Sequence, residues 1–345
     1  MSAPRIAVVG TGANGGGIGA DLTRAGHDVT FIEQWPDHVE AMRRDGIRVE
    51  LPDEVQVTPV RVMHLCEVAT IREPFDLVLI VVKAYDTRWA CELIRPLLHD
   101  ESVVVGVQNG MSIDDVIDIV GPDRALGAVI EISANMFTPG VVERQSPRSK
   151  SWFAVGGTTP AAQARAAGVA AVLSAAGTVE VSDDIRSSKW MKLVVNAAEL
   201  VPSAILGLPL GDAVRVPGMR DFMARTGREA IHACLSAGHQ VRPIFGMADA
   251  RVDDPDAYAD QLIDAVLMDY TLPTTRTTVL QDWMKGRRSE VSEINGLVVE
   301  VLTASHAPLN ARVVELAGQI ESGRLTADPA NAALLLDVLS TSEQT

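Results

Sequence analysis

The sequence predicts an α/β protein in which an N-terminal Rossmann-type, doubly wound sheet is followed by an all-helical C-terminal domain. Up to about residue 184, short apolar runs typical of buried parallel strands alternate with segments of helical periodicity. Beyond that point, only helical patterns follow one another along the chain. We therefore expect a Rossmann domain at residues 1–184, a helical domain at 185–339 and a polar tail at 340–345.

The individual elements follow from where these patterns start and stop. Strands are expected at residues 5–10, 27–33, 75–83, 102–109, 126–137, 141–144, 151–157 and 178–182. Helices are expected between them at residues 12–26, 87–98, 112–120 and 160–177. In the second domain, helices are expected at residues 185–206, 213–237, 256–270, 274–285, 289–305 and 310–322.

Charge and composition exclude several classes of function. The formal net charge of −15 repels nucleic-acid phosphates and anionic lipid headgroups, so we expect no nucleic-acid partner and no membrane partner. Cys66, Cys91 and Cys234 lie far apart and lack metal-ligand spacing. We expect reduced, buried thiols and no metal site. The sequence contains no apolar leader and no uninterrupted apolar 18-residue run, so a cytoplasmic location is expected.

A glycine-rich fingerprint of the form G-x-G-x-x-G lies between the first strand and the first helix. Its six residues are Gly10, Thr11, Gly12, Ala13, Asn14 and Gly15. The first glycine permits a tight turn, the second lets a pyrophosphate approach the backbone, and the third permits close helix–strand packing. N–H groups at the start of the helix attract the anion. The fingerprint predicts a dinucleotide-binding loop, and the alternative is an ordinary glycine-rich turn.

The acid at the end of the second strand bears on which dinucleotide is bound. Glu33 stands where a carboxylate can accept hydrogen bonds from the adenosine ribose hydroxyls, and it would repel a 2′-phosphate. We therefore expect NAD as the cofactor rather than NADP. The alternative is a solvent-exposed acid at the end of a strand.

A second group of candidate residues lies in the helical domain. Lys192 and Asn196 are four residues apart, hence on one helix face, and their neighbours are apolar. Desolvation lowers the pKa of a lysine from about 10.4 toward the range useful in acid catalysis. The alternative is an exposed lysine on an amphipathic helix. Further along, Ser289 is a candidate N-cap with Glu290 in the first helical turn, which would give that acid a purely structural role.

Taken together, these segments resemble the ketopantoate reductase family (2-dehydropantoate 2-reductases). The resemblance is carried, in order, by GTGANG, VVKAYDT, VQNG, TPGVV, WMKLVVN, TTVLQD and RRSEVSEINGLVV. Their order and approximate spacing agree with the family over about residues 4–320. The resemblance implies a Rossmann domain with a helical domain and hydride transfer between a nicotinamide cofactor and a small 2-oxo acid or 2-hydroxy acid. It leaves a homodimer open as the assembly.

The resemblance also implies roles for residues of the helical domain. Lys192 would be the general acid that protonates the ketone oxygen as hydride arrives, and Glu290 would hold that lysine. Asn196 would contact the substrate beside Lys192. Thr278, at a position where the family usually has serine, would bind the substrate carboxylate.

Two residues of the first domain are implied to serve the cofactor. Asn109 would lie near the nicotinamide and help to orient it and the substrate, and Lys83 would lie against the cofactor. Family members that use NADP usually carry a basic residue just after the second strand. This sequence reads Glu33-Gln34-Trp35 there, so NADP is the less favoured cofactor.

A departure from the family pattern bears on the substrate. One turn beyond Asn196 the family commonly has a second asparagine, which contacts the hydroxyl of ketopantoate, whereas this chain has Leu200. A lost buried polar partner costs about 1–3 kcal/mol. We therefore expect a substrate without that hydroxyl, unless Glu199 or Ser203 compensates. Glu131 is a further departure, for which the sequence offers no explanation.

Two other functions stay open at this point. One is NAD-dependent dehydrogenation of a different hydroxylated substrate on the same scaffold. The other is a nicotinamide-binding regulator without catalysis, in which the glycine loop would persist and Lys192 or Glu290 would be lost. Both residues are present, which favours an enzyme.

Overall fold

The computed structural model of the protein describes residues 4–247 and 249–342. The chain divides into two units between Arg186 and Ser187, two residues beyond the boundary expected from the sequence. The first unit is built around parallel strands flanked by helices, and the described part of the second contains helices only. The expected fold class is therefore confirmed.

The helices and strands have the following bounds. The strands are β1 (Arg5–Val9), β2 (Asp28–Glu33), β3 (Ile47–Glu50), β4 (Val55–Thr58), β5 (Arg61–His64), β6 (Phe75–Ile80), β7 (Leu98–Gly106), β8 (Ala125–Glu131), β9 (Ala134–Asn135), β10 (Val141–Arg144), β11 (Trp152–Gly157) and β12 (Thr178–Val181). The first five helices are α1 (Ala13–Arg24), α2 (Pro36–Asp45), α3 (Thr87–Ile94), α4 (Ile113–Val120) and α5 (Pro160–Leu173). The others are α6 (Ile185–Ile205), α7 (Leu210–Ala213), α8 (Met219–Ser236), α9 (Pro255–Ala265), α10 (Thr278–Met284), α11 (Leu297–Leu302), α12 (Pro308–Glu321) and α13 (Ala332–Ser342). Among the described residues, no helix is both long enough and apolar enough to cross a membrane.

The main sheet places the carboxyl ends of its central strands along one edge. Within the described residues it has eight strands in the order β12-β11-β8-β7-β6-β1-β2-β5, and a smaller sheet has the order β4-β3-β10-β9. The pairings in the main sheet are parallel except that between β8 and β11. The strand order changes direction at β1, which lies between β2 and β6. In open α/β sheets, ligands bind outside the carboxyl ends of the strands at such a switch point.

Both faces of the main sheet are buried at its centre, which is why β1 and β6 are apolar at most positions. Val8 of β1 belongs to the core cluster that contains Ile18 of α1. Its neighbour Val9 points to the opposite face and belongs to the cluster that contains Ile94 of α3. The alternation of side chains along the strand thus serves two cores.

Three strands of the first unit, β3, β4 and β5, were not predicted. Each has four residues and is exposed at one or more of them, so no apolar run marks it in the sequence. The strand expected at residues 126–137 is also divided into β8 and β9. Short strands of this kind form because a neighbouring strand offers hydrogen bonds, which a single segment of sequence does not reveal.

Two expectations for the ends of helices are corrected. The helix expected at residues 213–237 is interrupted because Pro217 cannot continue a helix, and α8 begins only after Gly218. The polar tail expected from residue 340 is helical through Ser342, as the end of α13. Buried Leu335 anchors that helix in the core of the second unit. The rest of the expected tail lies outside the described residues.

The cysteines are thiols, but they do not share one environment. Cys91 and Cys234 are buried, as expected, whereas Cys66 is exposed, so the expectation that all three are buried is wrong. Cys66 lies on the short 3-10 helix Leu65–Thr70, in which Val68 is the residue that turns to the core. Burial raises the pKa of the Cys91 thiol to about 12.

A buried guanidinium joins the two sheets of the first unit to its first helix. Arg144, at the end of β10, is 2% exposed and forms an ion pair with Asp21 of α1. Its Nη2 donates to the Ser151 hydroxyl (2.9 Å) and to the Ala176 carbonyl (2.8 Å), next to β11 and β12 respectively. Its Nε donates to the Ser146 carbonyl (2.9 Å). Because these bonds satisfy the guanidinium, its burial is tolerated.

We predict that Arg144→Met is strongly destabilising. The substitution leaves the Asp21 carboxylate buried without its cation, which costs about 3–5 kcal/mol in comparable buried pairs. The measurement is the free energy of unfolding from urea titration. Arg88→Met is the matched control, because Arg88 pairs with Asp115 and Asp118 on the surface. Its urea midpoint should stay at the wild-type value, and equal effects of the two substitutions would refute the structural role of Arg144.

Candidate active site

Three residues predicted to bind the cofactor lie in loops at the same edge of the main sheet. Strands β1, β6 and β7 are parallel neighbours, and Gly10, Lys83 and Asn109 follow their carboxyl ends. The backbone N–H of Val107 donates to the Ile80 carbonyl (3.0 Å), which extends the pairing of β6 and β7 toward these loops. Lys83 and Asn109 are both half-buried. The sheet therefore brings together residues that are about a hundred positions apart in sequence.

The turn after β1 requires glycine at two positions. Gly10 has a φ of +86°, in the left-handed region that side chains disfavour, and a Cβ there would lie 2.7 Å from Val82 Cγ1. A Cβ at Gly15 would overlap the carbonyl oxygen of Gly10. The helix can therefore begin directly against the strand only because both side chains are absent.

The N-terminus of α1 is open and suited to an anion. Gly12 is the N-cap residue, no side chain caps the helix, and a Cβ at Gly12 would meet only Met136 Cε, at 3.9 Å. The first N–H groups of a helix have no intrahelical acceptor, and here they belong to Ala13, Asn14 and Gly15. The amide oxygen of Asn14 is buried without a hydrogen-bond partner among the described residues. The predicted loop thus fits the pyrophosphate of a dinucleotide.

Glu33 holds the glycine loop to the end of β2. One carboxylate oxygen accepts from the backbone N–H (2.7 Å) and the hydroxyl (3.0 Å) of Thr11, and the other from the N–H groups of Gln34 (2.8 Å) and Trp35 (2.9 Å). Glu33 is 5% exposed, so the alternative of a solvent-exposed acid at the end of a strand is wrong. A contact between Glu33 and the adenosine ribose stays a prediction.

A buried histidine, which the sequence did not single out, supports the same loop from the other side. His38 of α2 accepts the Gly140 N–H at Nδ1 (2.7 Å), so its Nε2 carries the proton that it donates to the Thr11 carbonyl (2.9 Å). Burial lowers the pKa of His38, although the Thr11 carbonyl and the Glu33 carboxylate oppose this effect. Neutral His38 therefore joins the glycine loop to the turn before β10.

The loops that follow β6 and β7 are joined by a chain of side-chain hydrogen bonds. Gln108 Nε2 donates to the Thr87 hydroxyl (2.8 Å), which in turn donates to the Ala84 carbonyl (2.7 Å). The Ser112 hydroxyl donates to Gln108 Oε1 (3.2 Å). Gln108 lies beside Asn109, so this buried chain fixes the loop that carries a predicted cofactor residue. Its central bond joins residues that are 21 positions apart, and no sequence pattern marks them.

In the second unit, α6 carries the candidate acid. Lys192 is half-buried, so the alternative of an exposed lysine is wrong. Its Nζ lies 5.5 Å from the centroid of the Phe245 ring, a contact that no sequence pattern indicated. Asn196 is one turn further along the same face and is 1% exposed.

The start of α10 is bonded to α6 close to Leu200. The Thr277 hydroxyl donates to the Leu200 carbonyl (2.9 Å), which brings predicted Thr278 close to this part of α6. The Thr278 hydroxyl is buried without a hydrogen-bond partner among the described residues. Ser203 uses its own hydroxyl within the helix, where it donates to the Glu199 carbonyl (2.6 Å). The residue before Thr278 is therefore bonded to the backbone of α6 at Leu200.

The segment after Glu290 is a π-helical turn, Ser292–Gly296, inside the span where a regular helix was expected. Glu290 is buried, 3% exposed. The proposed capping role of Ser289 is wrong, because its hydroxyl donates to Glu321 (2.6 Å) and the turn begins three residues later. π-Helical turns are frequent at functional sites.

A buried amide network ties this π-helical turn to α6. Asn295 Nδ2 donates to the Ala197 carbonyl (3.0 Å), beside Asn196, and to Asn310 Oδ1 (2.8 Å). Asn310 Nδ2 donates to Glu229 of α8 (2.7 Å). Burial raises the pKa of Glu229, although three N–H donors oppose this effect. The network fixes the segment that follows Glu290 relative to α6, which carries Lys192.

Two other acids marked by the sequence are buried in separate units. Glu131 is 8% exposed at the end of β8, and Glu199 is 1% exposed on α6. The structure gives no explanation of Glu131. Within the described residues, no three His, Cys, Asp or Glu side chains converge as metal ligands would.

Comparisons with known proteins agree over both units. A family model described as "Ketopantoate reductase PanE/ApbA" matches residues 6–156, and its C-terminal counterpart matches residues 184–321. A 2-dehydropantoate 2-reductase of Archaeoglobus fulgidus is 28% identical over 301 residues, which cover 87% of this chain and 91% of the relative. The crystal structure of a PanE/ApbA family ketopantoate reductase from Ralstonia eutropha is 28% identical with a TM-score of 0.76, covering 92% of this chain and 99% of its own. A D-mandelate dehydrogenase in a ternary structure with NADH and anilino(oxo)acetate shares the fold at 20% identity, with a TM-score of 0.80 and the same coverage.

His38 should make the first unit sensitive to mild acid. Its pKa is lowered in the folded state, so the unfolded chain takes up the proton first and stability falls as the pH drops below about 6.5. The loss is at most about 1.4 kcal/mol per pH unit for one proton. The measurement is the free energy of unfolding between pH 5 and about pH 8 for wild type and His38→Gln.

His38→Gln should be less stable at neutral pH and should show a shallower pH dependence. His27→Gln, at a half-buried histidine of the same unit, is the control and should keep the wild-type slope. Parallel curves of unfolding free energy against pH for wild type and His38→Gln would show that protonation of His38 does not cause the loss of stability.

Proposed function

The chain belongs to the ketopantoate reductase PanE/ApbA family, and from this premise we propose that it is an NAD-preferring reductase of small 2-oxo acids that also oxidises the matching 2-hydroxy acids. The observation that carries the proposal is the phosphate cradle. An uncapped helix N-terminus faces open space at Gly12, and Gly10 and Gly15 are both fixed by contacts that exclude a side chain. Such a cradle suits a phosphate-bearing ligand, because its backbone N–H groups and the helix dipole both attract an anion.

We assign the dinucleotide to the residues around this cradle. The backbone N–H groups of residues 13–15 would hold the pyrophosphate, with Gly10, Thr11 and Gly12 shaping the turn. Lys83 and Asn109, on the neighbouring loops of the same edge, would contact the nicotinamide half. When bound, the reduced nicotinamide supplies the hydride.

The preference for NAD follows from charge. A 2′-phosphate on the adenosine ribose would approach the carboxylate of Glu33, and the next two residues, Gln34 and Trp35, bring no positive charge. Like charges brought together in this way cost up to several kcal/mol. Glu33 thus selects against NADP even while its oxygens hold the loop.

The acid chemistry is assigned to α6. As hydride adds to the carbonyl carbon, negative charge develops on the ketone oxygen, and the Lys192 ammonium stabilises that charge and donates its proton. The products are the 2-hydroxy acid and a neutral amine, which regains a proton from solvent. Buried Glu290 would hold the lysine in place, and Asn196, one turn along, would contact the substrate.

The substrate is assigned from two side chains near the start of α10. The buried Thr278 hydroxyl lacks a protein partner among the described residues, and a substrate carboxylate would provide one. Leu200 cannot offer a hydrogen bond through its side chain, and Ser203, a candidate substitute, already donates within α6. A 2-oxo acid with an apolar side chain therefore suits this site better than one with a distal hydroxyl.

An assay with each nicotinamide cofactor tests the proposal. Purified protein is mixed with NADH or NADPH and with 2-oxoisovalerate, 2-oxoisocaproate or ketopantoate, and kcat/KM is measured from the loss of absorbance. We expect a higher kcat/KM with NADH than with NADPH. We also expect 2-oxoisovalerate and 2-oxoisocaproate to be reduced at least as efficiently as ketopantoate. A preference for ketopantoate above about tenfold, a difference of about 1.4 kcal/mol, would contradict the assignment of the substrate. Absence of turnover with every 2-oxo acid, or higher efficiency with NADPH, would contradict the respective part of the proposal.

Gly12→Ala and Gly15→Ala provide matched controls for that assay. A Cβ at Gly12 meets nothing closer than 3.9 Å, so Gly12→Ala should fold normally and lose both activity and NADH binding. Gly15→Ala, whose Cβ would overlap the Gly10 carbonyl, should fail to fold.

Lys192→Ala should remove the acid without removing the cofactor site. If Lys192 donates the proton, kcat falls by roughly 10²–10⁴-fold while the Kd for NADH changes little. Lys150→Ala, at an exposed lysine of the first unit, should keep the wild-type kcat. Activity of Lys192→Ala above a tenth of wild type would return Lys192 to a structural role.

A further inference from the structure

The loop between α8 and α9 holds a phenylalanine in an unfavourable backbone conformation. Phe245 has a φ of +62°, and among the described residues Thr303 is the other non-glycine residue with a positive φ. A bulky side chain is a clear outlier in this region, because its Cβ approaches the following carbonyl. Such a conformation persists only where the surrounding structure fixes it, and it is often associated with a functional site.

Two attachments impose this conformation on the loop. Tyr258 of α9 is fully buried, and its hydroxyl accepts from the Ile244 N–H (3.1 Å) and donates to the Arg242 carbonyl (2.8 Å). The backbone N–H of Gln240 donates to the hydroxyl of Ser187 on α6 (3.0 Å). The loop is therefore tied on one side to α9 and on the other to the helix that carries Lys192.

The result of these attachments is the position of one ring. Phe245 lies with its centroid 5.5 Å from Lys192 Nζ, within the range of a cation–π interaction. On its other side, the ring lies 5.5 Å from the ring of Tyr270, at an interplanar angle of 46°. Tyr270 ends the π-helical turn Val266–Tyr270, so it supports Phe245 from a third element.

We propose that Phe245 is a positioning residue for Lys192, an inference that rests on the proposed role of that lysine as the acid. The π face of the ring attracts the ammonium and restricts its rotamers. Because the ring carries no net charge, it orients the ammonium without neutralising it, so the ammonium keeps its field for the developing alkoxide. The strained loop is the cost of placing an aromatic face at this point.

Substitutions of Phe245 separate the ring face from its bulk. Phe245→Leu keeps an apolar side chain but removes the π face, and kcat should fall about 5- to 30-fold with the Kd for NADH unchanged. Phe245→Tyr and Phe245→Trp keep the face and should retain kcat within about threefold. Phe245→Gly also removes the ring and should lose kcat as Phe245→Leu does, although glycine adopts the backbone at φ +62° without strain.

A measurement that does not depend on activity reports the contact itself. The chain has five lysines, Lys83, Lys150, Lys189, Lys192 and Lys285. In protein labelled with ¹³C-lysine, the Hε signal of Lys192, assigned from its loss in Lys192→Arg, should be shifted upfield by the ring. The shift should disappear in Phe245→Leu and persist in Phe245→Tyr.

The outcomes are distinguishable. The proposal is overturned if Lys192 shows no ring-current shift, or if Phe245→Leu keeps the wild-type kcat, or if Phe245→Tyr falls as far as Phe245→Leu. If the ring-current shift is present but the wild type reduces none of the 2-oxo acids, the proposed function fails while the Phe245–Lys192 contact stands.

Discussion

The buried guanidinium of Arg144 is the constraint on which the first unit depends. This side chain at the end of β10 bonds to the segments that precede β11 and β12 in the main sheet, and it pairs with Asp21 of the first helix. Asp21, its partner, belongs to the helix whose N-terminus forms the phosphate cradle. Burial alone raises the pKa of Asp21, and Arg144 opposes that effect. A charge that would be costly in an apolar interior thus becomes the means of fixing α1 in place.

In both units, buried polar contacts hold the segments that carry the candidate site residues. In the first unit, Glu33 accepts from the N–H and hydroxyl of Thr11 and His38 donates to its carbonyl, so the glycine loop is fixed before any ligand arrives. In the second, the amides of Asn295 and Asn310 join a π-helical turn to α6 and α8. Preformed sites of this kind avoid the entropic cost of ordering a loop on binding.

The sequence predicts those parts of the site whose constraints are local. The glycine fingerprint can be recognised in the sequence because the glycines of the turn, the phosphate cradle and the helix–strand contact lie at fixed spacings along one segment. That Lys192 and Asn196 share one helix face can be predicted because a helix repeats every 3.6 residues, and the apolar positions around them mark the buried face. The alternation of strands and helices predicts the fold class for the same reason, because the apolar periods of a strand and of a helix can both be recognised within about twenty residues.

The supporting contacts could not be predicted because they join distant segments. His38 lies 27 positions from Thr11, and Asp21 lies 123 positions from Arg144. The conformation of Phe245 could not be predicted for a different reason. No residue pattern around it indicates a left-handed backbone, and the contacts with Tyr258 and Ser187 that hold the loop come from outside it. Strands β3 to β5 were missed because pairing with neighbours, rather than apolar runs, creates them.

The double engagement of Glu33 has a consequence for the way cofactor choice can change, whether by natural drift or by engineering. An acid that only contacted a ribose could be exchanged for a neutral or basic residue in one step. Here the same carboxylate accepts four hydrogen bonds from the chain, so its replacement would release the glycine loop together with the proposed selectivity for NAD. A route to the phosphorylated dinucleotide would therefore have to begin at exposed Gln34, where a basic side chain can be added while the loop remains held.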